Sequence, residues 1–291
     1  MRIGITLGDA AGIGPEIVAA ALTLPALPDC KFVVVGDYPA CRLGEPTPET
    51  ATAAAAALEE AVAAALRGDL SAVVTGPIHK ARMYEIGFAF PGQTEFFATR
   101  CGVENFAMLL TGGSLSVALV TTHIPLRRVA DVLSPEEIVR VGGLFADFLR
   151  RRLGRAPRIA VAGLNPHAGE SGALGKEEVS IIAPAVVELN AIHRLSITDH
   201  PIFSGPFSPD TVFFHAAAGE WDGVICMYHD QGLIPLKLHA FHEGVNFTLG
   251  LPFPRTSPDH GTAFEIAGKG IARPDSMLAA MKLAAELADT R

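Results

Sequence analysis

Short apolar runs alternate with longer helical periods along this chain. Arg2–Leu7, Lys31–Val35, Ser71–Val74, Ile159–Leu164 and Gly223–Met227 are rich in Val, Ile and Leu, the pattern of strands buried on both faces. Phe106–Leu110 and Ser116–Val120 flank Thr111-Gly112-Gly113 and predict a hairpin. Helical segments stand between these runs: Pro15–Leu22, Thr50–Leu66, Glu95–Cys101, Pro135–Leu153, Glu177–Ala191 and Asp275–Asp289. Ser134 precedes Pro135, and Glu137 follows at the third helical position, which marks a capped helix start. Pro39–Pro48 reads as a loop. Strands alternating with helices predict parallel βαβ units and an α/β fold. Phe88–Gly92 and Pro252–Gly261 are candidate crossings between two lobes.

Four apolar runs end in a histidine-bearing polar cluster: Thr75–Lys80, Thr121–His123, Asn165–Glu170 and Tyr228–Gly232. Open α/β sheets bind ligands beyond the carboxyl ends of their strands, so four such ends can converge on one cleft. His123, His167 and His229 are then candidate ligands for Zn, Co, Ni or Mn. Three protein ligands leave a coordination position for substrate, the catalytic pattern. A lone histidine is more often a packing residue; three at strand ends favour the metal. Asp230, beside His229, is a candidate orienting carboxylate. His193, His200, His215, His239 and His242 lack this context and read as surface or packing residues.

Three further stretches carry candidate chemistry. Gly8–Glu16 joins a strand to a helix through Gly12, Gly14 and Pro15, a tight turn that can present N–H groups to an anion. It lacks the GxGxxG spacing of a Rossmann site. Lys237, Asn246 and Arg255 fall in a loop-rich span that could hold a phosphate or carboxylate, or could be plain solvated surface. Asp259–Gly270 reads as a polar turn that enters a helix and leaves it through Gly-Lys-Gly.

Composition narrows the classes. With 291 residues and 49% hydrophobic content, the chain can bury a large core. A net charge of −8 argues against sequence-independent nucleic-acid binding. The four cysteines show no CxxC spacing and are expected to be reduced. The start reads as a strand and not as a signal peptide, and no apolar stretch reaches membrane length, so a cytoplasmic protein is expected.

Taken together, GDAAGIGPE from Gly8, VTGPIHK ending at Lys80, GQTEFF from Gly92, TTHIPLR ending at Arg127 and LNPHAGE ending at Glu170 resemble the 4-hydroxythreonine-4-phosphate dehydrogenase family of vitamin B6 biosynthesis. So do GPFSPDT ending at Thr211, MYHDQG ending at Gly232 and GVNFTLGLPFPRTSPDHGTA ending at Ala263. The resemblance covers nearly the whole chain. It implies a fold similar to isocitrate and isopropylmalate dehydrogenases, with two α/β/α lobes, a cleft between them and a non-Rossmann nucleotide site. The implied lobes are residues 1–90 with 245–291 on the cofactor side, and 91–244 for metal, substrate and dimerisation.

The implied reaction is the NAD- or NADP-dependent oxidation of 4-phosphooxy-L-threonine to 2-amino-3-oxo-4-phosphooxybutanoate. That β-keto acid then decarboxylates to 3-amino-2-oxopropyl phosphate. The resemblance implies a divalent metal (Zn, Mg or Co) on His123, His167 and His229, shared across a homodimer interface. It implies substrate contacts at Gln93, Thr94, Lys237, Asn246 and Arg255. It places Lys80 near the chemistry and the adenosine side of the cofactor on Asp259, His260, Gly261, Thr262, Ala263 and Glu265. One residue departs from the family: its usual His in GHTEFF is Gln93 here, which cannot carry charge or a proton. That keeps a second substrate class open, the four-carbon sugar-acid phosphates such as threonate or erythronate 4-phosphate. A phosphate acyltransferase is a more remote alternative, since it would not need three histidines.

Overall fold

A computed structural model of the chain describes residues 1–193 and 201–289. The chain starts in a first compact unit with β1 (Arg2–Thr6), α1 (Gly14–Leu22), β2 (Lys31–Val34), α2 (Pro48–Leu66), β3 (Ala72–Thr75), α3 (Lys80–Glu85) and α4 (Gln93–Arg100). It then builds a second unit from β4 (Ala107–Gly112), β5 (Leu115–Leu119), α5 (Val129–Val132), α6 (Pro135–Leu153), β6 (Ile159–Ala162), α7 (Ala183–Ile192), β7 (Phe203–Phe207), α8 (Val212–Ala217), β8 (Gly223–Cys226) and α9 (His229–Ala240). It returns to the first unit with β9 (Val245–Leu249), β10 (Arg255–Pro258) and α10 (Asp275–Asp289).

The compact units are 1–104 with 242–291, and 105–241. The first crossing thus falls after Glu104 and not after residue 90. The cause is α4: its Phe96 and Phe97 are fully buried with Leu58, Val62, Val73, Met83 and Phe253, all of the first unit. Removing such aromatic area from water outweighs the break that Pro91 and Gly92 suggest in the sequence.

In the first unit the strand order is β2-β1-β3-β10-β9, parallel except for β9 against β10. In the second it is β4-β5-β8-β6-β7, where only β4–β5 is antiparallel. The four-residue interiors of β3, β6 and β8 are buried throughout, which is why they read as continuous apolar runs. The second unit's core gathers Leu110, Val117, Ala160, Val224, Leu233 and Leu236.

The expected capping holds at α6, where the Ser134 side chain accepts from the Glu137 N–H and Gly154 closes the helix with φ +66. Thr47 and Thr50 form a reciprocal capping box at the start of α2. Several elements escaped the sequence pattern. Gly232 and Pro235 mask α9, and Gly205 and Pro206 mask β7. The stretch expected as one helix from Glu177 begins instead with a π turn, Glu178–Ile182, before α7. The expected helix in Asp259–Gly270 is only a short 3-10 turn, Phe264–Ile266, entered through Ala263 at φ 43. All four cysteines are free. Among the described residues no helix is long and apolar enough to cross a membrane.

Candidate active-site elements of the two units

The second unit places its three candidate histidines on neighbouring parallel strands. His123 follows β5, His229 begins α9 just after β8, and His167 follows β6. Because β5, β8 and β6 run parallel, all three leave the same edge of the sheet. The His123 and His229 rings lie 5.5 Å apart between centroids. His229 Nδ1 pairs with Asp230 Oδ1 at 2.6 Å, which fixes the ring and leaves Nε2 for a ligand. Buried Gln231 ties two strand ends together: its Nε2 donates to Gly163 O at 2.7 Å, and its Oε1 accepts from Met227 N at 2.6 Å.

The trio is nevertheless not gathered in the single chain. Among the described residues no three His, Cys, Asp or Glu side chains stand together closely enough to hold a metal ion. The backbone after β6 is unusual. His167, Ala168, Gly169, Glu170 and Ser171 all adopt left-handed angles, with φ between 44 and 76. Four of these are not glycine, and each costs about 1–2 kcal/mol in that region. Strain of this kind persists only where surroundings enforce it, and it collects at functional sites. The donor chemistry fits a divalent ion: imidazoles on a common edge, one of them oriented by a carboxylate.

The first unit carries a buried cation among the candidate substrate contacts. Arg255 on β10 is fully buried, and its partners are neutral oxygens: Thr75 Oγ1 at 2.5 Å, Gln93 Oε1 at 2.9 Å and Thr248 Oγ1 at 3.4 Å. Its guanidinium lies over the Phe97 ring at 5.5 Å, and its Nε is buried without a partner. Burial pushes its pKa down to about 10, against the weaker pull of the Glu95 charge. Gln93, at the start of α4, uses both ends of its amide: Oε1 accepts from Arg255, and Nε2 donates to Gly76 O at 3.0 Å. Thr94 is half-buried beside it, and Asn246 on β9 has a buried, unpartnered Oδ1. Arg255 and Asn246 therefore sit on strands, and Lys237 sits on α9 of the second unit. None of the three is on a loop, because Leu233, Leu236 and Ala240 carry the helix into the core past Pro235.

Other candidates are placed as follows. The Gly8–Glu16 turn is a packing device. A Cβ on Gly14 would meet Leu7 O at 1.8 Å, and one on Gly8 would meet Pro77 O at 2.1 Å. Its Asp9 is buried with one carboxylate oxygen unpartnered. Lys80 is exposed, whereas its neighbour His79 packs edge-on to Phe264 at 5.3 Å and has an orphaned, buried Nδ1. In the Asp259–Glu265 stretch Thr262 is buried, its carbonyl accepts from Ile13 N, and Gly261 and Glu265 are exposed. His215 pairs with Glu220, His239 with Ser114, and His193 rests on Phe203; His200 lies outside the described residues. Sequence reasoning missed Thr75, Glu178 and Asp210. Asp210 follows β7 with Ser208 donating to it at 2.6 Å, which with the His167 charge keeps its carboxyl below the usual range. The strand-end rule that found the histidines would have found it, had β7 been recognised.

These two α/β units define a class: the fold is that of the isocitrate dehydrogenase-like proteins. An isocitrate dehydrogenase from Methylococcus capsulatus superposes with a TM-score of 0.54 at 16% identity, over 99% of this chain and 87% of its own, and so speaks for the fold alone. Within that class the chain belongs to the family described as "Pyridoxal phosphate biosynthetic protein PdxA", which matches residues 17–284. It is 44% identical to the 4-hydroxythreonine-4-phosphate dehydrogenase of Maricaulis maris, over 99% of this chain and 98% of that one. It is 40% identical to the D-threonate 4-phosphate dehydrogenase of Salmonella typhimurium, over 98% of each. The crystal structure of 4-hydroxythreonine-4-phosphate dehydrogenase from Klebsiella pneumoniae superposes with a TM-score of 0.87 at 39% identity, over 99% of each chain.

Proposed function

We propose that the chain is a dehydrogenase of 4-phosphooxy-L-threonine that uses NAD or NADP and a divalent metal. The observation that carries the reading is Arg255. A buried guanidinium among neutral oxygens is costly, and a bound phosphate would supply the missing countercharge through charge-assisted hydrogen bonds. Gln93, Thr94 and Asn246 would complete the substrate contacts of the first unit, and Lys237 is a further proposed substrate contact. Asp259, His260, Gly261, Thr262, Ala263 and Glu265 would take the adenosine side of the cofactor, and Lys80 would stand near the chemistry.

His123, His167 and His229 would hold the metal, with Asp230 fixing the His229 tautomer. When bound, the ion supplies Lewis-acid activation of the substrate hydroxyl and the nicotinamide accepts the hydride. The oxidised product is a β-keto acid and loses carbon dioxide to give 3-amino-2-oxopropyl phosphate. The metal site would be shared by two copies of the chain. Support comes from α9, whose Ile234, Leu238 and Phe241 form one exposed apolar face; Leu238 is 89% exposed.

A second substrate, D-threonate 4-phosphate, is favoured by one observation. Gln93 is neutral, and its amide is engaged by Arg255 and Gly76, so it offers no proton carrier. The test is direct: purified protein, NAD or NADP, a divalent metal and each phosphate ester in turn, following formation of the reduced nicotinamide (NADH or NADPH, either read below as NADH) with and without chelator. Chelator-sensitive turnover with a higher kcat/KM on 4-phosphooxy-L-threonine upholds the first reading. A preference for D-threonate 4-phosphate replaces it with the second, and absence of NADH on both from metal-loaded protein overturns the proposal.

A further inference from the structure

Behind the turn that carries His167 stands a buried carboxylate that no role above uses. Glu178 is 2% exposed. Its Oε1 accepts the backbone N–H groups of Leu164 and Asn165, both at 2.7 Å, and its Oε2 accepts from Asn165 Nδ2 at 3.0 Å. Asn165 is braced from the other side by Glu177 Oε2 at 2.8 Å. A carboxylate out of water with only neutral N–H donors is retained where those bonds enforce a geometry.

The geometry it enforces is the root of the left-handed turn. Leu164 and Asn165 stand just ahead of Pro166 and His167, and six consecutive residues with positive φ, His167 to Gly172, follow Pro166. The fit is close: a Cβ on Gly169 would come within 2.5 Å of Glu178 Oε2, and one on Gly175 within 2.2 Å of Asn165 Nδ2. Glu178 itself opens the π turn ahead of α7, a local geometry frequent at functional sites.

We propose that Glu178 is a positioning residue for His167: it clamps the chain where β6 ends and so sets where the imidazole stands. The proposal rests on reading His167 as a metal ligand. Glu178→Gln keeps the side chain's size and one acceptor, but sets its new amide N–H against the Asn165 amide, donor to donor. Asn165→Ala keeps both backbone bonds to Glu178 and loses only the side-chain arm.

The experiment titrates Co2+ into metal-free protein against a competing chelator and reads affinity and the visible absorption band, beside a thermal melt. Loss of Co2+ binding in His123→Ala and His167→Ala checks the ligand reading; wild-type binding in both sinks that reading and, with it, this proposal. With that loss in hand, Glu178→Gln is expected to weaken Co2+ about 10–100-fold and to shift the band in a protein that still melts cooperatively. Affinity within twofold of wild type, whatever the melting temperature, means that Glu178 serves stability alone and overturns the proposal. If Glu178→Gln is not recovered folded, Asn165→Ala decides: a smaller weakening in the same direction supports the clamp, and unchanged affinity refutes it.

Discussion

Two residues show how far local cost and function are opposed here. Arg255 is buried with no carboxylate among its hydrogen-bond partners, and the Glu95 charge offsets only part of the desolvation cost. Arg255→Met should leave the ligand-free melting temperature unchanged or raise it, while kcat/KM on the phosphorylated substrate falls at least about 100-fold. A melting temperature that drops by many degrees would show that Arg255 is chiefly a stabilising residue. The left-handed turn makes the second case. Ala168 has φ 52 and is not a glycine. Ala168→Gly removes that strain but adds freedom to the unfolded chain, for a net gain of about 0.5–1 kcal/mol. Chemical denaturation of the variant reads it; a destabilised variant would mean that the turn is relaxed. Of the candidate site residues, His123, His167 and His229 could be singled out because strand-end position and residue type are both written in sequence. Glu178 and Thr75 could not. Their roles depend on a π turn and on the pairing of β3 with β10, and neither leaves a periodic trace.

Elements were legible where helix formers run without interruption, as in α2 and α10, and where an N-cap marks the start, as in α6. They were lost where Gly or Pro interrupts a buried stretch, as in β7 and α9, because tertiary burial overrides local propensity there. One element junction predicts a pH effect. Asp222, before β8, accepts the Arg158 N–H at 2.7 Å and the Arg155 guanidinium at 2.8 and 2.6 Å, tying the start of β6 to β8. Burial alone would raise its carboxyl pKa, but Arg155, the Arg158 N–H and the two cations outweigh it and hold it below the usual value. A depressed folded pKa means that its contribution is full above the unfolded value, near about 3.9, and is lost as pH falls through the folded one. Asp222→Asn should therefore lower stability at neutral pH and flatten the loss of stability between about pH 4 and the acid transition. Parallel acid limbs in the two proteins would rule the junction out as the source.

At the scale of the molecule, the α/β class followed from strand–helix alternation, and the resemblance to a known family supplied the two-lobed plan. The unit boundary was misread because aromatic burial of α4 carries no boundary signal. The exposed apolar face of α9 makes the assembly testable. Leu238→Lys with Phe241→Asp should lower the sedimentation mass toward one chain, and a dimer of unchanged strength would place the interface elsewhere. His229 is the first residue of that same helix, so one rigid rod begins at a candidate metal ligand and continues as the candidate contact between copies. Ligand occupancy and self-association are then reciprocally linked: whatever the ion adds to the affinity between copies, association adds to the affinity for the ion. If both proposals hold, dilution alone would weaken metal binding, and mass action would lower activity at low expression with no inhibitor present.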